Sequence, residues 1–295
     1  MEEISIVDMK GADCLSAKEH HRQLGNEIGG ALKGIGFVYL LNHGIPDSLL
    51  QSIDRSARAF FALPLETKMK CHRFVRNGVN GYMPIQEEVL SRSEAAGKSQ
   101  YELKESWDMK PCGEDLPTAD APAFGRDLVQ LMTACETLGP LSGAVLRVVH
   151  FPPVNGRAPP GAVRCATHSD WGSVTLLVQD RLGVLEVLSR SGRWVAAEPV
   201  PGAVFLNVGD LMQIWTGGEI MATKHRVLMP EDERRRGSGR LTLAFFSHPD
   251  DMTTVAPPSA AAGYAAVNAG QYVADKWTTR SGRREKTRPQ IGHVV

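Results

Sequence analysis

Cysteine is scarce and unpatterned in this chain. Its five cysteines, Cys14, Cys71, Cys112, Cys135 and Cys165, are odd in number and far apart, with no Cys-x-x-Cys among them. That argues against a zinc site or a disulfide framework and makes a reducing compartment the expectation. Long apolar runs are missing as well, and none approaches the roughly 20 residues needed to cross a bilayer. The opening Met1-Glu-Glu-Ile-Ser5 has neither the basic start nor the apolar core of a signal peptide, so the expected location is the cytoplasm. Nor does one sign of charge dominate. Lys plus Arg and Asp plus Glu both number 33, which gives no basis for a nucleic-acid or anionic-lipid partner. No internal repeat or low-complexity segment is present.

What remains is an ordinary globular composition. With 42% hydrophobic residues against 22% charged, 295 residues suffice for a sizeable core in one large domain or two small ones. The apolar period changes along the chain. Leu24, Ile28, Leu32 and Ile35 recur at helical spacing, as do Leu49, Leu50, Ile53, Ala57, Phe60 and Phe61. Pro46 opens the second of these helices and Pro64 ends it. Phe124 to Leu138 reads as a further helix, stopped by Gly139-Pro140. Residues 71–120 carry few periodic signals, which is long for a connection inside a compact domain.

After Pro140 the period becomes that of strands, expected near 144–151, 162–168, 173–178, 183–188, 193–197, 203–208, 222–229 and 240–247. Eight short strands with glycine and proline between them suit a double-sheet jelly roll, a mainly β fold with flanking helices. The expected organisation is a mixed helical region over 1–140, a jelly-roll core over 141–280 with a closing helix from Gln271 to Thr279, and a basic tail over 281–295.

The chemistry concentrates between Thr167 and Arg240. His168 and Asp170 are two apart, and on an extended strand such residues share a face. His225 returns from a distant strand. Two imidazoles and a carboxylate on one side of a metal form the donor set of non-heme Fe(II) sites, which leave coordination positions open. Arg240 and Thr242 repeat the two-residue offset and offer a guanidinium fork and a hydroxyl to a carboxylate. Arg240 sits inside the apolar run Leu241 to Phe246, where a charge calls for a partner.

The text around these residues resembles the isopenicillin N synthase-like branch of the 2-oxoglutarate/Fe(II)-dependent dioxygenases. Thr167-His-Ser-Asp-Trp-Gly-Ser-Val-Thr-Leu-Leu177 matches the metal strand. Pro201 to Asp210, Trp215 to Gly218, Thr223 to Val227 and Arg240 to Phe246 continue the pattern in order. Gly36 to Pro46, Phe60 to Pro64, Gly81-Tyr82 and Lys104 to Asp108 match the leading segment. The resemblance implies a jelly-roll enzyme with Fe(II) on His168, Asp170 and His225, and 2-oxoglutarate on Arg240 and Thr242. Dioxygen would be co-substrate, and a small organic molecule would be hydroxylated, desaturated or cyclised. Tyr82, Glu105, Trp107 and Phe246 are expected to line the substrate cavity.

Three features depart from that pattern. Phe151 stands where relatives often carry a tyrosine, and Val149 where they carry an asparagine. The lost hydrogen bond to a charged group is worth roughly 1.5–3 kcal/mol. Gly139 to Gly143 replaces a longer helical stretch, and Gly183-Val184 replaces a Gly-Gly pair, without evident consequence. Phe151 keeps a 2-oxoglutarate-independent Fe(II) oxidase open as an alternative. The short connection keeps open a non-catalytic binding protein on a degenerate barrel.

Overall fold

The computed structural model describes residues 3–12, 18–73, 80–85, 101–110, 143–156, 158, 162–232, 236–258 and 263–281. The expected helix from Phe124 to Leu138 and most of the Gly139–Gly143 connection lie outside the described residues, as does the tail from residue 282. The first part of the chain holds β1 (Ser5–Asp8), α1 (Lys18–Gly34), β2 (Phe37–Leu41), α2 (Asp47–Phe61), α3 (Leu65–Met69), β3 (Gly81–Met83), β4 (Tyr101–Glu102) and β5 (Glu105–Met109). The second part opens with β6 (Val145–Phe151), β7 (Ala162–Val163), β8 (Cys165–His168), β9 (Val174–Gln179), β10 (Leu185–Leu188) and β11 (Trp194–Ala196). It continues with β12 (Val204–Val208), α4 (Asp210–Trp215), β13 (His225–Val227), β14 (Arg240–Ser247), β15 (Thr254–Val255), β16 (Val267–Asn268) and α5 (Ala269–Ser281).

Two sheets carry the architecture. The larger runs β1-β2-β12-β9-β14-β6-β5-β3, and the smaller runs β11-β10-β13-β8. All of their pairings are antiparallel except β1 with β2. Phe37, Tyr39, Phe151 and Phe205 of the larger sheet meet Cys165, Leu185, Val187 and Val227 of the smaller one in a shared apolar cluster. This is the face-to-face packing of a jelly roll. Strand β2 pairs with β12 and β5 with β6. Both halves of the chain build one sheet.

Strand alternation gives the larger sheet two different faces. Leu241, Leu243 and Phe245 of β14, Leu146 and Val148 of β6, and Trp107 and Met109 of β5 point outward onto α2. That helix presents Leu49, Ile53, Ala57, Phe60 and Phe61, the spacing read from the sequence. At the other end, α1 covers Val38, Leu40 and Val208 with Leu24 and Leu32. The inward face carries the alternate residues Arg240, Thr242 and Phe246.

Two backbone features shape the loops. Val184 has φ 68°, a left-handed conformation that costs a β-branched residue roughly 1–2 kcal/mol relative to glycine. The Gly-to-Val departure therefore has a local cost, held in place by the bond from Leu228 N–H to the Val184 carbonyl at 3.0 Å. At Gly209, a Cβ would meet the Gly172 carbonyl at 2.5 Å and the Asp170 carbonyl at 2.9 Å. Only glycine lets the start of α4 come this close to the turn after β8.

The outward cluster makes a stability prediction. Leu243→Ala is expected to destabilise the protein by about 2–5 kcal/mol, because the cavity forms between sheet and helix. Leu65→Ala, at a side chain 58% exposed, should change stability by less than about 0.5 kcal/mol. Urea denaturation of both variants measures the contrast.

Candidate metal centre

His168, Asp170 and His225 arrive from three places. His168 ends β8 and His225 opens β13, and the two residues are paired directly across that ladder. Their rings stand side by side, with centroids 4.2 Å apart. The strand stops at His168, so Asp170 reaches the same site from the turn that follows rather than by strand alternation. That turn is pinned to α4, where the N–H of Asp210 donates to the Asp170 carbonyl at 2.8 Å.

Hydrogen bonds decide which atoms face inward. Nδ1 of His168 lies 2.8 Å from the Ala166 carbonyl and Nδ1 of His225 lies 3.2 Å from the Thr223 carbonyl. A carbonyl only accepts, so each Nδ1 carries the proton and each neutral ring keeps its lone pair on Nε2. Those Nε2 atoms lie 3.8 and 3.6 Å from Oδ1 of Asp170. The other carboxylate oxygen, Oδ2, accepts from Thr175 Oγ1 at 2.6 Å and from Asn207 Nδ2 at 2.8 Å. Two nitrogens and one oxygen, all within 4.8 Å of one another, are left converging with no proton between them. This donor set fits a divalent cation with open positions, supported by outer hydrogen bonds on every ligand.

The charge states agree. Burial pushes His225 down to about 4, and the neighbouring His168 adds to the shift. Burial pushes the Asp170 carboxyl upward, but both histidines, Thr175 and Asn207 outweigh it, and it is held below the ordinary carboxylate range. A neutral His225 imidazole and an ionised Asp170 carboxylate result.

Arg240 and Thr242 lie on the inward face of β14, 1% and 4% exposed. The guanidinium stands 5.0 Å over the ring of Phe151, its direct neighbour across the ladder. Nε makes no hydrogen bond, although Oδ1 of Asp180 approaches to 3.5 Å. Burial lowers its pKa to about 10, with Asp180 opposing the shift. A fully buried guanidinium with a donor unspent and a hydroxyl two residues away fits a carboxylate ligand. Asp180 is the partner that the apolar strand calls for, and the sequence does not reveal it.

A cavity of about 420 Å³ opens beside His168 and Asp170. Phe246 lines it. Tyr82, Glu105 and Trp107 do not. They occupy the outward face of the sheet, where Phe60 packs edge-on against both aromatic rings. There Glu105 accepts from Tyr82 Oη at 2.5 Å and Lys68 Nζ at 2.7 Å, and pairs with His150 Nδ1 at 2.8 Å. Burial pushes Glu105 upward, but these partners outweigh it and hold its carboxyl below the usual range. The expectation that the three line the cavity is corrected by one residue of phase, since Asp108, next to Trp107, points inward. Arg147, His248 and Trp277 also line the cavity and carry no pattern that marks them in the sequence.

Acid should destabilise the metal-free protein in a defined window. His225 and His248 both have folded values near 4, set first by burial, against 6.5 for an ordinary histidine. The unfolded chain takes each proton first, so stability falls as pH drops from about 6.5 and levels off for these groups below about 4. Urea midpoints measured across that range test it; a flat profile would contradict the described burial.

Comparison with known proteins places this geometry. Residues 4–139 match the N-terminal family described as non-haem dioxygenase in morphine synthesis, and residues 142–249 match the 2OG-Fe(II) oxygenase superfamily. The proline hydroxylase buaE of Petromyces alliaceus is 32% identical over 265 residues, covering 78% of this chain and 82% of its own. The 2-oxoglutarate-Fe(II) type oxidoreductase ppzD of Metarhizium rileyi is 28% identical over 305 residues, covering 88% and 86%. Among solved structures, a putative 2OG-Fe(II) oxygenase family protein from Caulobacter crescentus superposes with a TM-score of 0.76 at 27% identity, covering 95% of this chain and 99% of that one. With both halves matched in order and a relative of this identity spanning most of the chain, the protein belongs to the 2OG-Fe(II) oxygenase superfamily, as an Fe(II)- and 2-oxoglutarate-dependent dioxygenase.

Proposed function

We propose that Fe(II) is held by His168, Asp170 and His225, and that Arg240 and Thr242 hold the distal carboxylate of 2-oxoglutarate. The observation that carries this reading is the convergence of three deprotonated ligand atoms, each turned inward by a hydrogen bond on its far side. When bound, the metal supplies the redox chemistry that couples decarboxylation of 2-oxoglutarate, to succinate and carbon dioxide, with oxidation of a substrate C–H by dioxygen.

The chain's own residues orient and enclose. Thr175 and Asn207 fix the Asp170 carboxylate so that Oδ1 alone is presented. Ala166 and Thr223 fix both ring tautomers. Phe151 packs under the Arg240 guanidinium and supports its plane without supplying the donor that a tyrosine would add. Trp171 and Trp277, edge to face with centroids 6.0 Å apart, wall the cavity against water.

The cavity suits a small organic substrate, with Phe246 in contact with it. Likeness to a proline hydroxylase favours hydroxylation over desaturation or ring closure. Residues 141–280 then form the catalytic core, residues 1–140 its support, and residues 281–295 an appended basic tail. No described helix is long and apolar enough to cross a membrane, and Cys71 and Cys165 form no disulfide. The unbridged cysteines support a reducing compartment such as the cytoplasm.

Two variants test the assignments. His225→Ala should abolish stoichiometric Mn(II) or Fe(II) binding, read as metal content or by electron paramagnetic resonance; wild-type metal content would refute the ligand set. Arg240→Ala should weaken 2-oxoglutarate binding to the Mn(II)-loaded protein by about 2–5 kcal/mol in calorimetry, because the far carboxylate loses its counter-charge. Equal affinities would move the co-substrate elsewhere.

A further inference from the structure

We infer that His248 is a substrate-binding residue of the cavity, and that its Nε2–H donates to a carbonyl-type oxygen on a small, otherwise apolar molecule. The inference rests on the metal-centre reading above and adds the feature by which the substrate is recognised.

Several polar groups of the cavity wall are already engaged. Arg147 donates from Nε and Nη2 to the two oxygens of Asp108, at 2.6 and 2.7 Å. The Arg73 guanidinium lies 4.5 Å over the Trp277 ring. Ser169 donates to Asp210, and Thr278 to the Ala274 carbonyl. His248 differs, since it makes no hydrogen bond with any described residue.

Register puts this ring beside the metal turn. Phe246 is paired with Thr175, which donates to Asp170, and Ser247 is paired with Val174. The Ser247 carbonyl accepts from the Ser173 N–H at 2.9 Å, so the chain leaving β14 is bonded to the segment that follows Asp170. His248 comes next. A Cβ on Gly172 would stand 3.0 Å from both Nδ1 and Cε1 of its ring, and one on Gly143 would stand 3.2 Å from its Cβ. His248 and Gly143 belong to the cavity wall, whereas Gly172 does not. The Nδ1 edge is therefore pressed against the metal turn, buried and without a partner. The opposite edge, with Nε2, is what the ring offers to the cavity.

Chemistry fixes what Nε2 presents. Burial, reinforced by Lys110 and opposed by Asp170, holds His248 at about 4, so near neutral pH the ring has one N–H and one lone pair. Neither nitrogen is committed by a bond to protein, and a neutral histidine left to itself favours the Nε2–H tautomer. A donor of this kind goes unmatched when an apolar ligand displaces its water. The uncharged N–H suits an uncharged acceptor, the oxygen of a ketone, ester or amide. Val145, Phe246, Val273 and Trp277 supply apolar surface for the rest of the molecule, and about 420 Å³ suits a small one. A site built around such a donor rejects an analogue that lacks the oxygen more strongly than an apolar pocket rejects a small change of shape.

The test is calorimetry on protein loaded with Mn(II) and 2-oxoglutarate, a combination that does not turn over. The probes are acetophenone and α-methylstyrene, equal in shape, the second with a methylene group in place of the oxygen. Acetophenone should bind at least roughly fivefold tighter, the value of a hydrogen bond that otherwise goes unmade. His248→Leu should abolish the preference. His248→Gln, whose side-chain amide places an N–H close to the position of Nε2, should restore it. Equal affinities, no binding of acetophenone, a preference that survives His248→Leu, or one that His248→Gln fails to restore overturns the inference. Where a variant no longer takes Mn(II) and 2-oxoglutarate, a crystal structure of the wild-type complex with acetophenone decides. Its oxygen should lie within about 3.2 Å of Nε2, and an oxygen directed elsewhere overturns the assignment. If wild-type protein takes Mn(II) and 2-oxoglutarate normally while the probes show no preference, only the role of His248 falls. If it takes neither, the metal-centre reading falls and this inference with it.

Discussion

The structure depends on one buried carboxylate. Asp170 is 7% exposed, and removing an ionised group from water costs several kcal/mol unless other groups compensate. Two donors, Thr175 and Asn207, compensate only one of its oxygens. The other faces Nε2 of His168 and Nε2 of His225, and burial keeps His225 neutral, so a cation at this point would complete its charge balance. These five side chains come from β8, β9, β12, β13 and the turn after β8. Both sheets must be in register for the site to exist, and a one-residue slip in any strand would turn a partner to the opposite face. Selection for the metal is therefore also selection for the barrel.

That coupling explains the unequal faces of the larger sheet. The outward face needs only volume and apolarity, and α1 and α2 supply both with leucine, isoleucine and phenylalanine at helical spacing. The inward face carries charges at specific positions: Arg240 on β14, Arg147 on β6 and Asp108 on β5, with the Thr242 hydroxyl beside Arg240. Each is balanced by a neighbour at a stated distance, Asp180 at 3.5 Å or Asp108 at 2.6 Å. The buried Glu105 group on the outward face is balanced too, by Lys68, Tyr82 and His150, and so is satisfied without a ligand. Its position behind the sheet marks it as structural.

Legibility in the sequence followed the range of the interaction. The β14 strand was expected at 240–247 and lies there, and β9, β10, β11 and β12 fall within one or two residues of expectation, because alternation is a local signal. The identities of His168, Asp170 and His225 were legible because a two-residue offset and its flanking text are also local. What places Asp170 is not local: β8 ends two residues before it, and the Asp210 backbone holds the turn instead. Glu105 and Trp107 were assigned to the cavity although Ser106 and Asp108 face inward. A period of two identifies the strand and leaves its phase open, and only the pairing of β5 with β6 settles it. Asp180 beside Arg240 and the charge balance of the cavity are tertiary facts with no linear trace.

Besides the Trp171–Trp277 contact, Asp210 ties the wall of the cavity to the metal turn by hydrogen bonds. Asp210 accepts from Ser169, the residue between two ligands, at 2.9 Å on Oδ1. On Oδ2 it accepts from Tyr272 at 3.0 Å and Lys276 at 2.8 Å, both on α5. The same helix contributes Val273 and Trp277 to the cavity and packs Ala269 against Leu211 of α4. A shift of α5 therefore moves the cavity wall and pulls on Ser169 at once, while Thr175 and Asn207 hold Asp170 from the opposite side. Substrate fit and ligand geometry are joined on one flank of the metal and insulated on the other. That arrangement lets the wall vary without disturbing the carboxylate on which the fold depends.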